Sequence, residues 1–178
     1  MNYTASFKIC IFGDVGVGKT SLTYRYITNR FIQDTKSTLG VDIVAKDLQI
    51  EGYSVKLQIW DFGGEDRFKV FLPVYARGSS GGIFIYDITR KNSLDNIHTW
   101  ISIFKKNLTE DESQIPILIV GAKKDLFNHR TISIENAIDL AIEHKLYDVI
   151  ECSAKTGENV ENVFGSITHT ILKNVCFI

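Results

Sequence analysis

Proline is scarce in this chain, with two residues in 178, and methionine occurs once. So little proline excludes a collagenous or proline-rich linker protein, while 44% hydrophobic and 23% charged residues exclude an intrinsically disordered one. Cysteine is also rare. Cys10, Cys152 and Cys176 are odd in number and lack the spacing of a zinc site, so neither a disulfide framework nor a structural zinc organises the fold, and a reducing compartment is implied. Cys10 and Cys152 sit in apolar runs and read as inert core. No apolar run approaches the ~18 residues that a membrane span needs, no signal peptide opens the chain, and Asn2 offers no myristoylation site. Neither sign of charge dominates. A formal net charge of −1 gives no broad attraction to nucleic acid or to an anionic membrane, so any polyanion must be caught locally. The length suits one domain over residues 1–178, without repeats or linkers.

One stretch does catch polyanions. Gly13-Asp14-Val15-Gly16-Val17-Gly18-Lys19-Thr20 reads G-x-x-x-x-G-K-T, the P-loop. Its glycines let backbone N–H groups close around phosphate oxygens, the lysine reaches the outer phosphates, and the hydroxyl ligates Mg²⁺. The context fits, with a strand at Phe7–Phe12 before it and a helix at Ser21–Ile27 after it, whose N-terminus faces the phosphates.

Further along, Val41–Ile50 and Val55–Trp60 predict a hairpin turning at Glu51-Gly52, with Asp61–Gly64 a loop. A short helix over 67–76 is interrupted by Pro73. Gly82–Tyr86 and Ile117–Val120 are apolar throughout, as strands covered on both faces are. Ser93 caps a helix carrying Leu94, Ile97, Trp100, Ile101 and Phe104 on one face. A helix from Ser133 places Ile134, Ala137, Ile138, Ala141 and Ile142 on a core stripe. Val149–Cys152 is a short strand, and Val160, Val163, Phe164, Ile167 and Ile171 mark the last helix. The four histidines, His98, His129, His144 and His169, read as scattered surface residues. Strands alternating with helices imply an α/β fold, a mostly parallel sheet with helices on both faces. Ligands in such sheets sit at the carboxyl ends of the strands, where the P-loop and the loops at Asp61, Gly121 and Ser153 converge.

Gly13 to Thr20, Asp61-x-x-Gly64, Lys123-x-Asp125 and Ser153-Ala154-Lys155 occur in the order of the small GTPase motifs and span nearly the whole chain. The chain resembles a Ras-superfamily GTPase. Ser37–Asp42, Lys56–Asp61, Tyr75–Gly78 and Tyr86–Thr89 resemble the Rab signatures most closely. The resemblance implies a P-loop NTPase small G domain on a six-stranded sheet, which binds GTP or GDP with Mg²⁺ and acts as a switch. It places Asp14, Val15, Gly16, Val17, Gly18, Lys19, Thr20 and Ser21 around the phosphates, with Gly64 and Thr38 at the γ-phosphate. Thr20 and Thr38 become Mg²⁺ ligands, and Asp61 holds the ion through water. Phe31 lies against the guanine ring, Lys123 along the base, and Asp125 reads N1–H and the 2-amino group. The Ala154 N–H meets O6, flanked by Ser153 and Lys155. Glu65, Lys19, Thr38 and Gly64 form the catalytic group of a GTP hydrolase. Loops 31–41 and 61–77 become the surface for effectors, exchange factors and activating proteins. Ile43, Trp60 and Tyr75 fall at the positions of an aromatic effector triad, where core packing competes as an explanation.

The chain departs from the family pattern in several places. Ala122 replaces the asparagine of N-K-x-D, so guanine nucleotide is expected to bind selectively but less tightly. Glu65 replaces the glutamine that orients the attacking water, which implies altered hydrolysis. Val15 crowds the approach of an arginine finger. Cys176 stands third from the end, so the C-a-a-X prenylation pattern fails. A cytoplasmic monomer follows, with no recognisable lipid anchor for peripheral membrane association. Ala122, Val15 and Glu65 together also fit a pseudo-GTPase interaction module with structural or absent nucleotide. A P-loop kinase leaves the Lys123-x-Asp125 and Ser153-Ala154-Lys155 motifs unexplained.

Overall fold

A computed structural model describes residues 4–33, 38–109 and 114–175. Cys176, Ser37 and part of the loop 31–41 lie outside the described residues. The first strand, β1 (Ala5–Phe12), sends Phe7, Ile9 and Ile11 to one face and Cys10 and Phe12 to the other, the period of two of a pleated strand. Both sets are buried because β1 lies inside the sheet. The order is β2-β3-β1-β4-β5-β6, with β2 (Val41–Ile50), β3 (Tyr53–Phe62), β4 (Gly81–Asp87), β5 (Ile117–Ala122) and β6 (Asp148–Glu151). Only the β2–β3 hairpin is antiparallel, with Ile50 paired to Tyr53 across the turn. The strand β3 runs on through Asp61 and Phe62, so the loop expected from Asp61 begins at Gly63.

Helices cover both faces. On one, α1 (Lys19–Thr28) and α7 (Val160–Asn174) pack Leu22, Tyr26, Phe164 and Ile167 onto the sheet, and Tyr26 stacks on Phe164 at 3.9 Å. On the other, α5 (Ile97–Lys105) buries Trp100 and Phe104, and Phe104 stacks on Phe12 at 4.7 Å. Between β3 and β4 the chain forms two short helices, α2 (Asp66–Lys69) and α3 (Leu72–Tyr75), because Pro73 can open a helix but cannot continue one.

Several expectations are corrected. Ser93 lies inside a short helix, α4 (Asn92–Asp95), fully buried, where its hydroxyl donates to the Arg90 carbonyl and accepts from the Asp87 N–H, so it does not cap α5. In α6 (Ile134–Glu143) the buried face is Ala137 and Ala141, flanked by Leu140. Ile138 and Ile142 point outward, 41% and 72% exposed. Ser133 does cap this helix, accepting from the Asn136 N–H. The histidines are not all surface: His144 and His169 are half-buried, and the His98 and His144 rings meet edge to face at 4.4 Å.

Candidate functional site

The site begins where β1 ends. At Gly13 (φ +142°) a Cβ would lie 2.2 Å from the Ile85 carbonyl oxygen, so only glycine lets the chain leave the sheet flush against β4. The loop then curls back to Gly18, and α1 opens with its N-terminal N–H groups toward the cleft. Lys19 is buried, and its Nζ donates to the carbonyls of Gly13 at 2.8 Å and Asp14 at 2.7 Å. Burial pushes the Lys19 pKa down to about 8 against the pull of Asp61 and Asp14, with Arg90 adding to the fall. The side chain of Val17 is core.

The loop is braced from behind. Both carboxylate oxygens of Asp14 are held from the start of α5 and the residue before it, by Asn96 Nδ2 at 2.7 Å and Trp100 Nε1 at 2.8 Å. Arg90 donates to the Val15 carbonyl at 2.7 Å. Trp100 is fully buried, so its share of the bracing rests on the core, whereas the Arg90 bond is solvent-exposed.

Three oxygens converge at the first turn of α1. Thr20 Oγ1 donates to Asp61 Oδ2 at 2.5 Å and lies 2.7 Å from Thr38 Oγ1. Burial pushes the Asp61 pKa up to about 6, opposed by the Thr20 bond and Lys19 and reinforced by Asp42. Asp61 Oδ1 is buried and has no hydrogen-bond partner among the described residues. Two hydroxyls and a carboxylate with an orphaned oxygen fit a hard, oxygen-seeking cation such as Mg²⁺. The loops are stitched together beside it: Gly63 N–H donates to the Gly40 carbonyl, and a Cβ on Gly64 would lie 2.3 Å from the Val15 nitrogen. Glu65 lines the cleft and is paired with Arg67 at 2.8 Å.

At the far end, Lys123 adopts a left-handed backbone (φ +67°) that sends its Nζ to the buried Asp87 at 2.6 Å. Burial alone would raise the Asp87 pKa, but the bonds from Lys123 and Thr89 outweigh it and hold the carboxyl below its usual value. Asp125 accepts a hydrogen bond from Ser153 Oγ at 2.6 Å, and that hydroxyl in turn accepts from the Thr156 N–H. Ala122 is buried and faces Gly18, where a Cβ would lie 3.6 Å from its own, so no side-chain amide links these two loops.

A cleft of about 360 Å³ joins the two ends. It is lined by Val15, Gly16, Gly18, Lys19, Thr20, Ser21, Phe31, Thr38, Gly64, Glu65, Lys123, Asp125, Ala154 and Lys155. Asp14, Val17, Asp61 and Ser153 stand behind this lining and support it. Leu22, Gln33, Leu126 and Cys152 line it without having been anticipated. Cys152 is nonetheless inert, because burial pushes its thiol up to about 12. Asp87, Arg90, Asn96 and Trp100 were missed as supports, and no local pattern announces them.

A phosphate loop at the head of a central strand, an oxygen cluster beside it and a supported carboxylate across the cleft define the P-loop class of α/β proteins. Comparison with known proteins narrows this. The model of the Ras family matches residues 8–173. The Ras-related protein RGP2 of Oryza sativa is 39% identical over 93% of this chain and 74% of its own length. Rab-13 of Canis lupus familiaris is 38% identical over 96% and 82%, and the GTP-binding protein ypt3 of Schizosaccharomyces pombe is 36% identical over 97% and 79%. The chain belongs to the Ras family.

Proposed function

We propose that this chain is a Rab-like GTP/GDP switch built as one G domain over residues 1–178, with selective but weakened guanine binding and altered hydrolysis. The observation that carries it is the meeting of Thr20, Thr38 and the orphaned Asp61 oxygen beside a lysine-armed phosphate loop, with Asp125 held at the other end of the same cleft. Asp125 accepts from guanine N1–H and the 2-amino group, and Ser153 keeps its carboxylate aimed. Phe31 and Lys123 flank the base, and the Ala154 N–H donates to O6, with Lys155 beside it. Lys19 leaves the Gly13 and Asp14 carbonyls for the β- and γ-phosphate oxygens. Thr20, Thr38 and, through water, Asp61 would hold Mg²⁺, which would supply charge neutralisation at those phosphates. Thr38 and Gly64 sense the γ-phosphate through their backbones, so its loss frees both loops.

Hydrolysis requires a water to attack the γ-phosphorus as the bond to the β–γ bridging oxygen breaks, giving GDP and inorganic phosphate. Glu65 accepts a hydrogen bond from that water but adds negative charge, and its ion pair with Arg67 draws the carboxylate aside. Val15, 46% exposed at the cleft mouth, narrows the approach of an external arginine. These features also favour a second reading, an interaction module whose nucleotide is structural. Effectors and regulators meet the surface of Leu39, Ile43, Val70, Phe71, Val74 and Tyr75, all exposed apolar residues on or next to the loops 31–41 and 61–77. Ile43 pairs with Trp60 across β2 and β3 and Trp60 lies 5.8 Å from Tyr75; the exposure of Ile43 and Tyr75 favours the effector triad at those two positions, while Trp60 packs partly against the core. No helix among the described residues is long and apolar enough to cross a membrane.

Denaturing the freshly purified protein and identifying what it releases tests this directly. Guanine nucleotide near one per chain is expected, with GDP favouring turnover and GTP a blocked site. An empty protein that also fails to load GTP with Mg²⁺ overturns the proposal. Single-turnover hydrolysis should differ between the parent and Glu65→Gln, and equal rates would remove Glu65 from the explanation.

A further inference from the structure

Away from the cleft, the end of α6 and the start of α5 bring together three residues with metal-binding chemistry. His98 is the second residue of α5, Glu143 the last of α6, and His144 its C-terminal cap. One nitrogen from each histidine and one carboxylate oxygen of Glu143 all lie within 4.8 Å of one another. The imidazole planes cross at 63° with centroids 4.4 Å apart, so the two histidines meet edge to face rather than stacking flat. Among the described residues His144 Nε2 is buried and finds no hydrogen-bond partner, although its residue is only half-buried. An unpaired ring nitrogen costs free energy that a ligand bond would recover.

We propose that His98, Glu143 and His144 form a binding site for a zinc-type divalent cation, clamping α5 to α6. Two imidazoles and one carboxylate are a recurring three-ligand set for Zn²⁺, which leaves a fourth position for water or a partner's ligand. Imidazole ligands select zinc and its transition-metal neighbours over Mg²⁺ and Ca²⁺, which take oxygen almost exclusively. With metal–ligand bonds of about 2.0–2.2 Å, donors of a tetrahedral site stand roughly 3.3–3.6 Å apart. Rotation of the side chains of His98 and Glu143, both exposed, would bring the donors from within 4.8 Å to that spacing. The last carbonyls of α6 give that end partial negative charge, which favours a cation there. Lys105 is the opposing positive group within electrostatic reach of His144. The remaining histidines, His129 and His169, do not belong to the cluster, and His169 is paired with Glu51.

The test is a titration of the full chain with Zn²⁺ against a chromophoric chelator, with Mg²⁺ in excess, beside the double variant His98→Ala/His144→Ala. One tight equivalent is expected for the parent, absent from the variant, with a zinc-dependent rise in the thermal midpoint of the parent alone. Co²⁺ substitution should give visible d–d absorption in the parent that disappears in the variant. Glu143→Gln keeps two of the three ligands and should weaken uptake at least about tenfold, since loss of a direct ligand costs no less than the roughly 10–100-fold typical of an outer-shell partner. Equal zinc uptake by parent and double variant overturns the proposal, because the ion is then held elsewhere. So does the absence of any uptake at micromolar zinc. Because the readouts are metal stoichiometry and spectra, the outcome is independent of whether the cleft binds guanine nucleotide.

Discussion

The two ends of the cleft are built on different principles. At the phosphate end, support is redundant: Asp14 is held by two donors, Val15 by a third, and Thr20 shares its hydroxyl between Asp61 and Thr38. At the base end Lys123 is tied to Asp87, but among the described residues the Asp125 carboxylate has one donor, the Ser153 hydroxyl, itself held by the Thr156 N–H, and Ala122 gives no side-chain link to the phosphate loop. A redundant end tolerates loss of one support, whereas a carboxylate with one donor passes the loss of that donor on directly. On the proposed function, affinity is anchored at the phosphates and selectivity rests on the Asp125 carboxylate.

The largest expected effect comes from removing the one phosphate-end group that nothing duplicates. Lys19→Ala deletes a buried cation assigned, on the proposed function, to the outer phosphates, and charge-assisted hydrogen bonds of about 1.5–3 kcal/mol each put the loss at roughly 100-fold or more in GTP affinity. Fluorescent-nucleotide titration reads it. A variant that retains parental affinity would mean that the loop's N–H groups alone carry the phosphates.

Next comes the carboxylate of the base end. Asp125→Ala removes both guanine-reading acceptors and should cut the preference for GTP over ATP by roughly 10–100-fold, with ATP affinity nearly unchanged. Competition titration against both nucleotides distinguishes this from a general loss of binding. Equal loss for the two would show that Asp125 shapes the loop rather than reading the base.

Much of this contrast was legible in the chain itself. The P-loop and the β2–β3 hairpin follow from spacing and from the alternation of Val55, Leu57 and Ile59, because those signals are local; the alternation stops at Trp60 and does not show that β3 continues through Asp61 and Phe62. The bracing was not. Asp14 finds Asn96 and Trp100 across 82 and 86 residues, and Trp100 read as core because its indole ring is core; only its N–H serves the site. Ser93 looked like a cap since serine before an apolar stripe usually is one, but here the chain turns one helix earlier. Ile138 and Ile142 were placed in the core because a helix with apolar residues on two sides has more than one possible buried stripe. The pairing of His98 with His144 depends on where α6 ends against α5, which no single stretch encodes.

A smaller change should sharpen the comparison by adding the missing support. Ala122→Asn introduces an amide facing Gly18, and a recovered hydrogen bond of about 1 kcal/mol predicts roughly fivefold tighter GDP binding. Slower GDP release in stopped-flow exchange is the readout. If release is unchanged, the weakness of the base end lies elsewhere than in position 122.

The smallest effect is expected where redundancy is greatest. Asn96→Ala removes one of the two donors to Asp14 and leaves Trp100 Nε1 in place, so the carboxylate keeps its orientation while Oδ2 loses its protein partner. Asn96 is only half-buried, so water replaces part of what is lost, and the cost should stay near 0.5–1 kcal/mol. GDP release should quicken about two- to fivefold, with little change in the thermal midpoint. A much larger acceleration would show that the phosphate loop depends on Asn96 as heavily as the base depends on Asp125, and the asymmetry between the two ends would vanish. No change at all would assign the hold on Asp14 to Trp100, making the support of that carboxylate single after all, but carried by a residue that the core already holds in place.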